Sequence, residues 1–238
     1  MRTIKFLLVA LFSLPLILSA QDDAKYRMVE LSYMKAKVGM ESKFEAAVKK
    51  HNEKYHKEGA NASSLYAIAT GNDAGWYVWT MGPTTFTDLD SRPKGEEHAA
   101  DWDKNVAPFI AEYGRVEYWR WNDKLSNWKE SDEKMINLWW MDIENGEYYR
   151  FKAFMEKVLP IFKEMDDEMN IYNNQFRQAD GRDVVIVWPM ENWASMDTDD
   201  WNMKEEYEKK YGEGTWEDAL EEWNDFVASM SGEVWREL

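Results

Sequence analysis

The chain repeats its own pattern of apolar and aromatic residues at a spacing of 107 positions. The repeat pairs two strand-like segments, two glycines and one face of two helices: Val29, Leu31, Tyr33 and Met34 with Ile136, Leu138, Trp140 and Met141, Gly39 with Gly146, and Phe44 with Phe151. With a two-residue shift, the pair Val78-Trp79 matches Val187-Trp188. A unit that occurs twice restricts the fold more than any other feature of this sequence.

Each copy has the pattern of strand, helix, strand, strand, helix and strand. In the first copy, we predict strands at 27–37, 65–70, 75–81 and 116–121 and helices at 40–57 and 96–113. This βαββαβ order is that of a ferredoxin-like unit, which makes the chain an α+β protein. We expect two tandem units, at 25–121 and 135–238, joined by a polar linker at 122–134.

Both faces of the predicted sheets are apolar. In one strand, Ile136, Leu138 and Trp140 point one way, while Trp139 and Met141 point the other. Helices cover one face of a ferredoxin-like sheet, so the second face needs another partner. We therefore expect two antiparallel sheets to pack face to face within one chain, with Trp139 buried between them.

Two short segments that pair in the repeat, VWTMGPTTF and VWPMENW, end a strand in Val-Trp and continue through a turn to an aromatic residue. With the βαββαβ order, they make the chain resemble the dimeric α/β-barrel superfamily, which includes the antibiotic-biosynthesis monooxygenase (ABM), NIPSNAP and EthD-like proteins. Members usually pair two chains. The resemblance implies that this chain forms the barrel by itself, as a monomer. Assembly of such monomers into higher oligomers is compatible with this prediction.

The first residues have the pattern of a secretory signal peptide. Arg2 and Lys5 precede an apolar run at 6–18 and the small residues Ser19 and Ala20. We expect residues 1–20 to be removed and the protein to be exported to the periplasm or the extracellular space. The chain has no cysteine, which excludes a lipoprotein anchor, and no later segment is apolar and long enough for membrane insertion.

Composition and motifs exclude several classes of function. The chain carries 45 acidic and 29 basic residues, and an acidic surface repels nucleic acid. It has no cysteine nucleophile, no GxSxG segment, no phosphate-binding glycine loop and no HExxH pair. We predict neither a metal site nor a cofactor on these grounds.

The three histidines are the candidate reactive groups, and the repeat distinguishes them. His56 aligns with Lys163 and is predicted to be solvated, whereas His51 lies on the apolar face of the first helix. His98 lies at the start of the second long helix, where the positive end of the helix dipole favours the neutral imidazole. A structural or capping role for His51 and His98 is the simpler alternative.

The resemblance adds a haem alternative. Haem-degrading members of the superfamily carry a histidine on the second helix and an asparagine in the first strand. His98 falls near that histidine's place, while Glu30 stands near the asparagine's place in the first copy and Asn137 in the second. Neither copy holds the complete set. We take His98, His51 and Glu30 as candidate catalytic residues.

Tryptophans supply the candidate ligand-binding surface. We predict a cleft that binds a small apolar or aromatic molecule through Trp76, Trp79, Trp139, Trp188 and Asn137. Oxidation of that molecule without a cofactor would make the protein a monooxygenase-like oxidoreductase. The alternatives are a non-catalytic envelope or secreted module that binds another macromolecule, and a haem-binding or haem-degrading protein that uses His98.

Overall fold

The computed structural model describes residues 26–92, 95–129, 133–177, 181–197 and 202–238, so the predicted signal peptide lies outside the described residues. The described strands are β1 (Met28–Ala36), β2 (Ser63–Ile68), β3 (Tyr77–Thr84), β4 (Ile110–Trp121), β5 (Met135–Ile143), β6 (Asn170–Asn174), β7 (Val184–Met190) and β8 (Val227–Glu237). The helices are α1 (Glu41–Tyr55), α2 (Phe86–Leu89), α3 (Glu96–Asn105), α4 (Tyr148–Glu164), α5 (Met203–Tyr211) and α6 (Thr215–Phe226). Among the described residues, no helix combines the length and apolarity that crossing a membrane requires.

The strands of each half lie in the same spatial order. The first half has the order β4-β1-β3-β2 and the second half the order β8-β5-β7-β6, with antiparallel pairing throughout. The short helices α2 and α5 are additions to the strand and helix order expected for each half. Helices α1 and α3 belong to the first half, and α4 and α6 to the second.

Two short seams join the halves into one closed barrel of eight strands. One seam pairs β2 with β8 and the other pairs β4 with β6, each through three residue pairs: Tyr66, Ala67 and Ile68 with Glu237, Arg236 and Trp235, and Trp119, Arg120 and Trp121 with Asn174, Asn173 and Tyr172. The two sheets that were expected to pack face to face are therefore parts of one closed eight-stranded sheet. The sheets face each other across the barrel interior, but their edges are hydrogen-bonded.

Large side chains fill the barrel interior. The rings of Trp119 and Trp235 lie 5.1 and 5.7 Å from the ring of Trp140, and all three side chains are buried. The space left among them is a cavity of about 150 Å³. Close packing of these indoles makes the interior a core rather than an open ligand channel.

Buried polar groups satisfy the indoles inside the barrel. The Nε1 atoms of Trp140 and Trp235 donate to one oxygen of Glu233, at 3.0 and 2.8 Å, and Trp119 donates to Glu117 at 3.0 Å. Glu117 also pairs with the guanidinium of Arg182, which lies 3.1 Å away. Each half contributes a Glu-x-Trp segment, Glu117 with Trp119 in the first half and Glu233 with Trp235 in the second. Residues two apart on a strand face the same side, so the carboxylate and the indole of each segment both point into the interior.

Side chains of opposite parity point outwards, where the helices cover them. In the first half, Phe44 and Val48 of α1 pack on Tyr77 and other outward-facing residues of the sheet. In the second half, α4 buries a broader apolar face, which comprises Phe151, Phe154, Met155, Val158, Leu159, Ile161 and Phe162. Apolar residues three and four apart place these side chains on the side of the helix that meets the sheet.

Trp139 lies on the other face from the one predicted. The inward-facing residues of β5 are Leu138 and Trp140, while Trp139 faces the helical layer of the second half, 4.9 Å from the ring of Trp188. The alternation along β5 was predicted correctly. Its orientation was not, because both faces of the strand carry indoles and either could have been the inner one.

The second predicted helix is shorter than expected. Helix α3 ends at Asn105, and a single 3₁₀ turn at Ala107–Phe109 leads into β4. Pro108 cannot donate a backbone hydrogen bond, so it does not extend the α-helix. Tyr113 therefore belongs to β4 rather than to the helix.

We predict that Trp140→Ala destabilises the protein by about 3–5 kcal/mol, as expected for a large aromatic removed from a packed core. Trp139→Ala should cost less, because Trp139 is only partly buried and borders a pocket. Denaturant unfolding of both variants measures the difference. An equal or larger loss for Trp139→Ala would contradict this assignment of the two faces.

A second prediction concerns Glu233. Burial raises its pKa, against the opposing effects of the Trp235 and Trp140 indoles and the charge of Arg182. A carboxyl whose pKa is higher in the folded than in the unfolded protein contributes stability below its ordinary value of 4.5, and loses that contribution as the pH rises through the folded value.

The unfolding free energy of the wild type should therefore fall relative to that of Glu233→Gln as the pH rises above about 4.5. The comparison uses the pH slope of the difference, so a constant offset caused by the amide does not affect it. Urea unfolding at several pH values measures this slope. A difference that is flat or rises with pH would be inconsistent with the raised pKa.

Candidate functional site

The three histidines of the chain meet on the outside of the barrel in the first half. His51 lies on α1, His56 follows the last residue of that helix, and His98 lies in the first turn of α3. His51 and His56 are only 2% and 5% exposed. The prediction that His56 is solvated is wrong, because α1 ends at Tyr55 and the chain turns at His56.

The imidazole Nε2 atoms converge on one point. Nε2 of His98 lies 3.2 Å from Nε2 of His51 and 3.0 Å from Nε2 of His56. Taking one ring nitrogen from each histidine, the three nitrogens all lie within 4.8 Å of one another. We call these three residues the histidine cluster.

Outer hydrogen bonds fix two of the three rings. Nδ1 of His51 lies 2.8 Å from a carboxylate oxygen of Asp101, and Nδ1 of His56 lies 2.9 Å from the backbone carbonyl oxygen of Asn61. A carbonyl or carboxylate oxygen accepts a hydrogen bond, so Nδ1 carries the proton in both rings. In the neutral rings, Nε2 then presents its lone pair to His98.

The surroundings favour neutral imidazoles. Burial lowers the pKa of His56, and the neighbouring His98 and His51 lower it further, against the opposing hydrogen bond to Asn61. Burial and His51 likewise lower the pKa of His98, although Asp101 opposes them. The hydrogen bond from His51 lowers the pKa of Asp101, which keeps that carboxylate ionised. Neutral rings are the form that binds metals.

A cavity of about 270 Å³ borders the histidine cluster, and we call it the histidine pocket. Trp79 and Trp102 form aromatic walls, with ring centroids 5.1 Å from His56 and 5.0 Å from His51 respectively. The Nε1 atom of Trp102 donates to the hydroxyl oxygen of Tyr113 at 3.0 Å. The pocket thus combines aromatic surface with titratable side chains.

Glu30 lies behind this pocket rather than in it. Its carboxylate is buried, pairs with Arg92 and accepts a hydrogen bond from Ser32 at 3.2 Å. Arg92 and Ser32 line the pocket, whereas Glu30 does not. Glu30, taken from the sequence as a candidate catalytic residue, therefore borders the pocket only through Arg92 and Ser32. Its role here is to hold Arg92 at the pocket wall.

A second cavity lies at the corresponding place in the second half and is entirely apolar in its lining. It has a volume of about 240 Å³, and we call it the apolar pocket. It lies between the outer face of the sheet and helices α4, α5 and α6; its aromatic walls are Trp139, Phe154, Phe162, Trp188, Trp216 and Trp223.

Within the described residues, no one cavity brings together all five predicted ligand-binding residues. Trp79 lines the histidine pocket, and Trp139 and Trp188 line the apolar pocket. Trp76 packs against the residues of the barrel interior. Asn137 borders a separate surface depression beside Trp139 and Trp188.

Sequence reasoning missed His56, Asp101 and Trp102 as parts of one site. A signal for two of them was present, since Asp101 and Trp102 follow His98 by three and four positions and so lie on the same side of α3. His56 gave no such signal. Its position depends on where α1 ends, which the pattern of apolar residues did not define.

No family model matches the chain, and no curated protein matches it in sequence. Solved structures match it in fold. A candidate monooxygenase from Fusobacterium nucleatum subsp. nucleatum is 13% identical, with 90% of this chain and 94% of that chain covered and a TM-score of 0.56.

Two further solved structures are similar. Chlorite dismutase from Candidatus Nitrospira defluvii, in complex with imidazole, is 9% identical over 87% of this chain and 90% of that chain, with a TM-score of 0.52. A haem-binding protein from Thermus thermophilus is 10% identical over 90% and 92% of the two chains, with a TM-score of 0.50. At such identities the likeness shows the fold alone, and it confirms the predicted ferredoxin-like α/β-barrel fold at that level.

Proposed function

We propose that the protein binds a small apolar or aromatic molecule in the apolar pocket. The observation that carries the proposal is the lining of this pocket, whose thirteen residues are all apolar or aromatic. Its volume of about 240 Å³ exceeds the roughly 150 Å³ of an apolar cavity that binds benzene. Apolar cavities of this kind are favourable sites for ligands without charge.

The shape of the pocket adds support. Trp139 and Trp188 meet edge to face, with ring centroids 4.9 Å apart and planes at 67°. Leu220, which is 40% exposed, lies at the rim and gives the pocket an opening to solvent. An opening next to rigid aromatic walls lets a flat molecule enter without unfolding of the helical layer.

The enzymatic form of the proposal belongs to the other half. The apolar pocket has no acid or base in its lining, so it offers no group for proton transfer. The histidine pocket has imidazoles beside Trp79 and Trp102, and the structural likeness to a candidate monooxygenase favours oxidation chemistry there. In the absence of a bound ion, an oxidoreductase of the monooxygenase type would use His98 and His51 as bases.

We also propose that the two halves are tandem ferredoxin-like repeats, at 25–121 and 135–238, and that residues 1–20 direct export. The matching strand order of the halves supports the first point. An exported module that binds another macromolecule is the non-catalytic alternative. An apolar pocket that stays empty in the presence of aromatic probes would favour it.

The haem alternative rests on the likeness to a haem-binding protein and on the position of His98. Haem would have to be held by a histidine of this cluster, and Nε2 of His98 already lies within 3.2 Å of two other imidazole nitrogens. A flat macrocycle has no place between these rings. The residues present therefore fit a single small ion better than they fit haem.

Calorimetric titration with 1-naphthol tests ligand binding. We expect one saturable site per chain. Leu220→Trp, which fills the rim of the apolar pocket, should weaken binding at least tenfold, which corresponds to about 1.4 kcal/mol. Glu221→Trp adds the same indole at the neighbouring exposed position of α6 and should leave binding unchanged. Absence of saturable binding to the wild type, or equal effects of both variants, would exclude this pocket as the site.

Haemin titration tests the haem alternative, with the Soret band as the signal. From the positions of the imidazoles, we expect no saturable band that depends on His98. A band that saturates at one equivalent per chain and disappears in His98→Ala would support haem ligation instead. The control variant must leave both His98 and His56 in place, because His56 contacts His98 directly. Lys57→Ala removes an exposed side chain next to His56 and is therefore the control variant.

A further inference from the structure

We propose that His51, His56 and His98 bind one divalent transition-metal ion through their Nε2 atoms. The site lies in the histidine pocket and is independent of ligand binding in the apolar pocket. It also goes beyond the sequence analysis, which predicted no metal site. The ion belongs to the first-row transition metals that imidazole ligands prefer. Zn²⁺ and Co²⁺ are suitable probes of such a site.

The distances between the nitrogens match a coordination sphere. A zinc–imidazole bond is about 2.0–2.1 Å long, so tetrahedral geometry places ligand nitrogens about 3.3–3.4 Å apart. Nε2 of His98 lies 3.2 and 3.0 Å from the Nε2 atoms of His51 and His56. These two distances lie within a few tenths of an ångström of the tetrahedral value, and one nitrogen of each ring belongs to a set whose members all lie within 4.8 Å of one another.

The hydrogen bonds of the rings leave lone pairs where a cation would lie. Asp101 and the carbonyl oxygen of Asn61 hold the Nδ1 protons of His51 and His56, so neither Nε2 carries a proton in the neutral ring. A proton on Nε2 of His98 satisfies one of these lone pairs well, but not both. A single cation at the centre satisfies all three nitrogens at once.

The outer partners are those that metal-binding histidines usually have. A ligating imidazole typically donates its second N–H to a carboxylate or a backbone carbonyl, which orients the ring and raises its basicity. Asp101 provides the first kind of partner and Asn61 the second. Asp101 is itself held by the side-chain amide of Asn105, at 2.9 Å, and is therefore a positioning residue.

The remaining side of the site opens into the histidine pocket. All three histidines line this cavity of about 270 Å³, together with Trp79, Trp102 and other residues. Three protein ligands with an open fourth position are typical of catalytic rather than structural metal sites. Water or an oxygen atom of a small substrate would complete the coordination, with the indoles beside it.

The test uses tag-free protein treated with a chelator, because an oligohistidine tag would bind the same ions. Titration with Co²⁺ should produce visible ligand-field absorption that saturates at one equivalent per chain, and Zn²⁺ should displace it. His98→Ala should weaken Co²⁺ binding at least 100-fold. Added imidazole should partly restore the absorption in this variant, because His98 lies at the edge of the pocket.

Asp101→Asn and Asp103→Asn form a matched pair, since both remove one negative charge from α3. Asp101 holds His51, whereas Asp103 is exposed and outside the cluster. We expect about 10–100-fold weaker binding for Asp101→Asn and no change for Asp103→Asn. This pair also keeps the test decisive if His98→Ala does not fold.

No saturable Co²⁺ absorption in the wild type would overturn the proposal, as would absorption that survives both His98→Ala and Asp101→Asn. Either result would mean that hydrogen bonds alone hold the histidine cluster and that its role is structural. Because 1-naphthol binding depends on the second half, it should be retained in all these variants. Failure of the metal site and failure of the apolar pocket are therefore separate outcomes.

Discussion

Barrel closure is the constraint on which the rest of this structure depends. Each four-stranded sheet has two apolar faces, and helices cover only one of them. The seams between β2 and β8 and between β4 and β6 close the sheets around a shared interior, which Trp119, Trp140 and Trp235 fill. The cavity that remains in the interior measures only about 150 Å³, and the larger histidine and apolar pockets lie outside the barrel, between the sheet and its helices.

The sequence predicted the fold class because its main signals are local and occur twice. Strand alternation, turn glycines and helix faces identified the order of elements, and the pairing of Tyr33 with Trp140 correctly matched two inward-facing residues. It could not predict which face of β5 is the inner one. Trp139 and Trp140 are the same residue type, so hydrophobicity alone does not distinguish them.

The candidate site was predicted less well, since it depends on chain ends and turns. His98 and His51, which the sequence singled out, lie together in the histidine cluster. His56 was dismissed because the repeat aligns it with Lys163, yet its backbone N–H still donates to the carbonyl oxygen of Asn52 while its ring turns inwards. The carbonyl of Asn61 that holds this ring belongs to a 3₁₀ turn at Gly59–Asn61. A backbone partner of this kind leaves no trace in residue type.

The two halves have pockets with different linings at corresponding places outside the barrel. Val158 on α4 lines the apolar pocket, whereas His51 on α1 lines the histidine pocket. Burial of His51 and His56 and partial burial of His98 carry a cost, because these rings lose hydration. A cation bound only by the folded protein would remove this cost and would stabilise the fold by an amount that grows with its concentration. Since outer hydrogen bonds hold two of the rings in position without the ion, little of the binding energy would be lost in ordering the ligands.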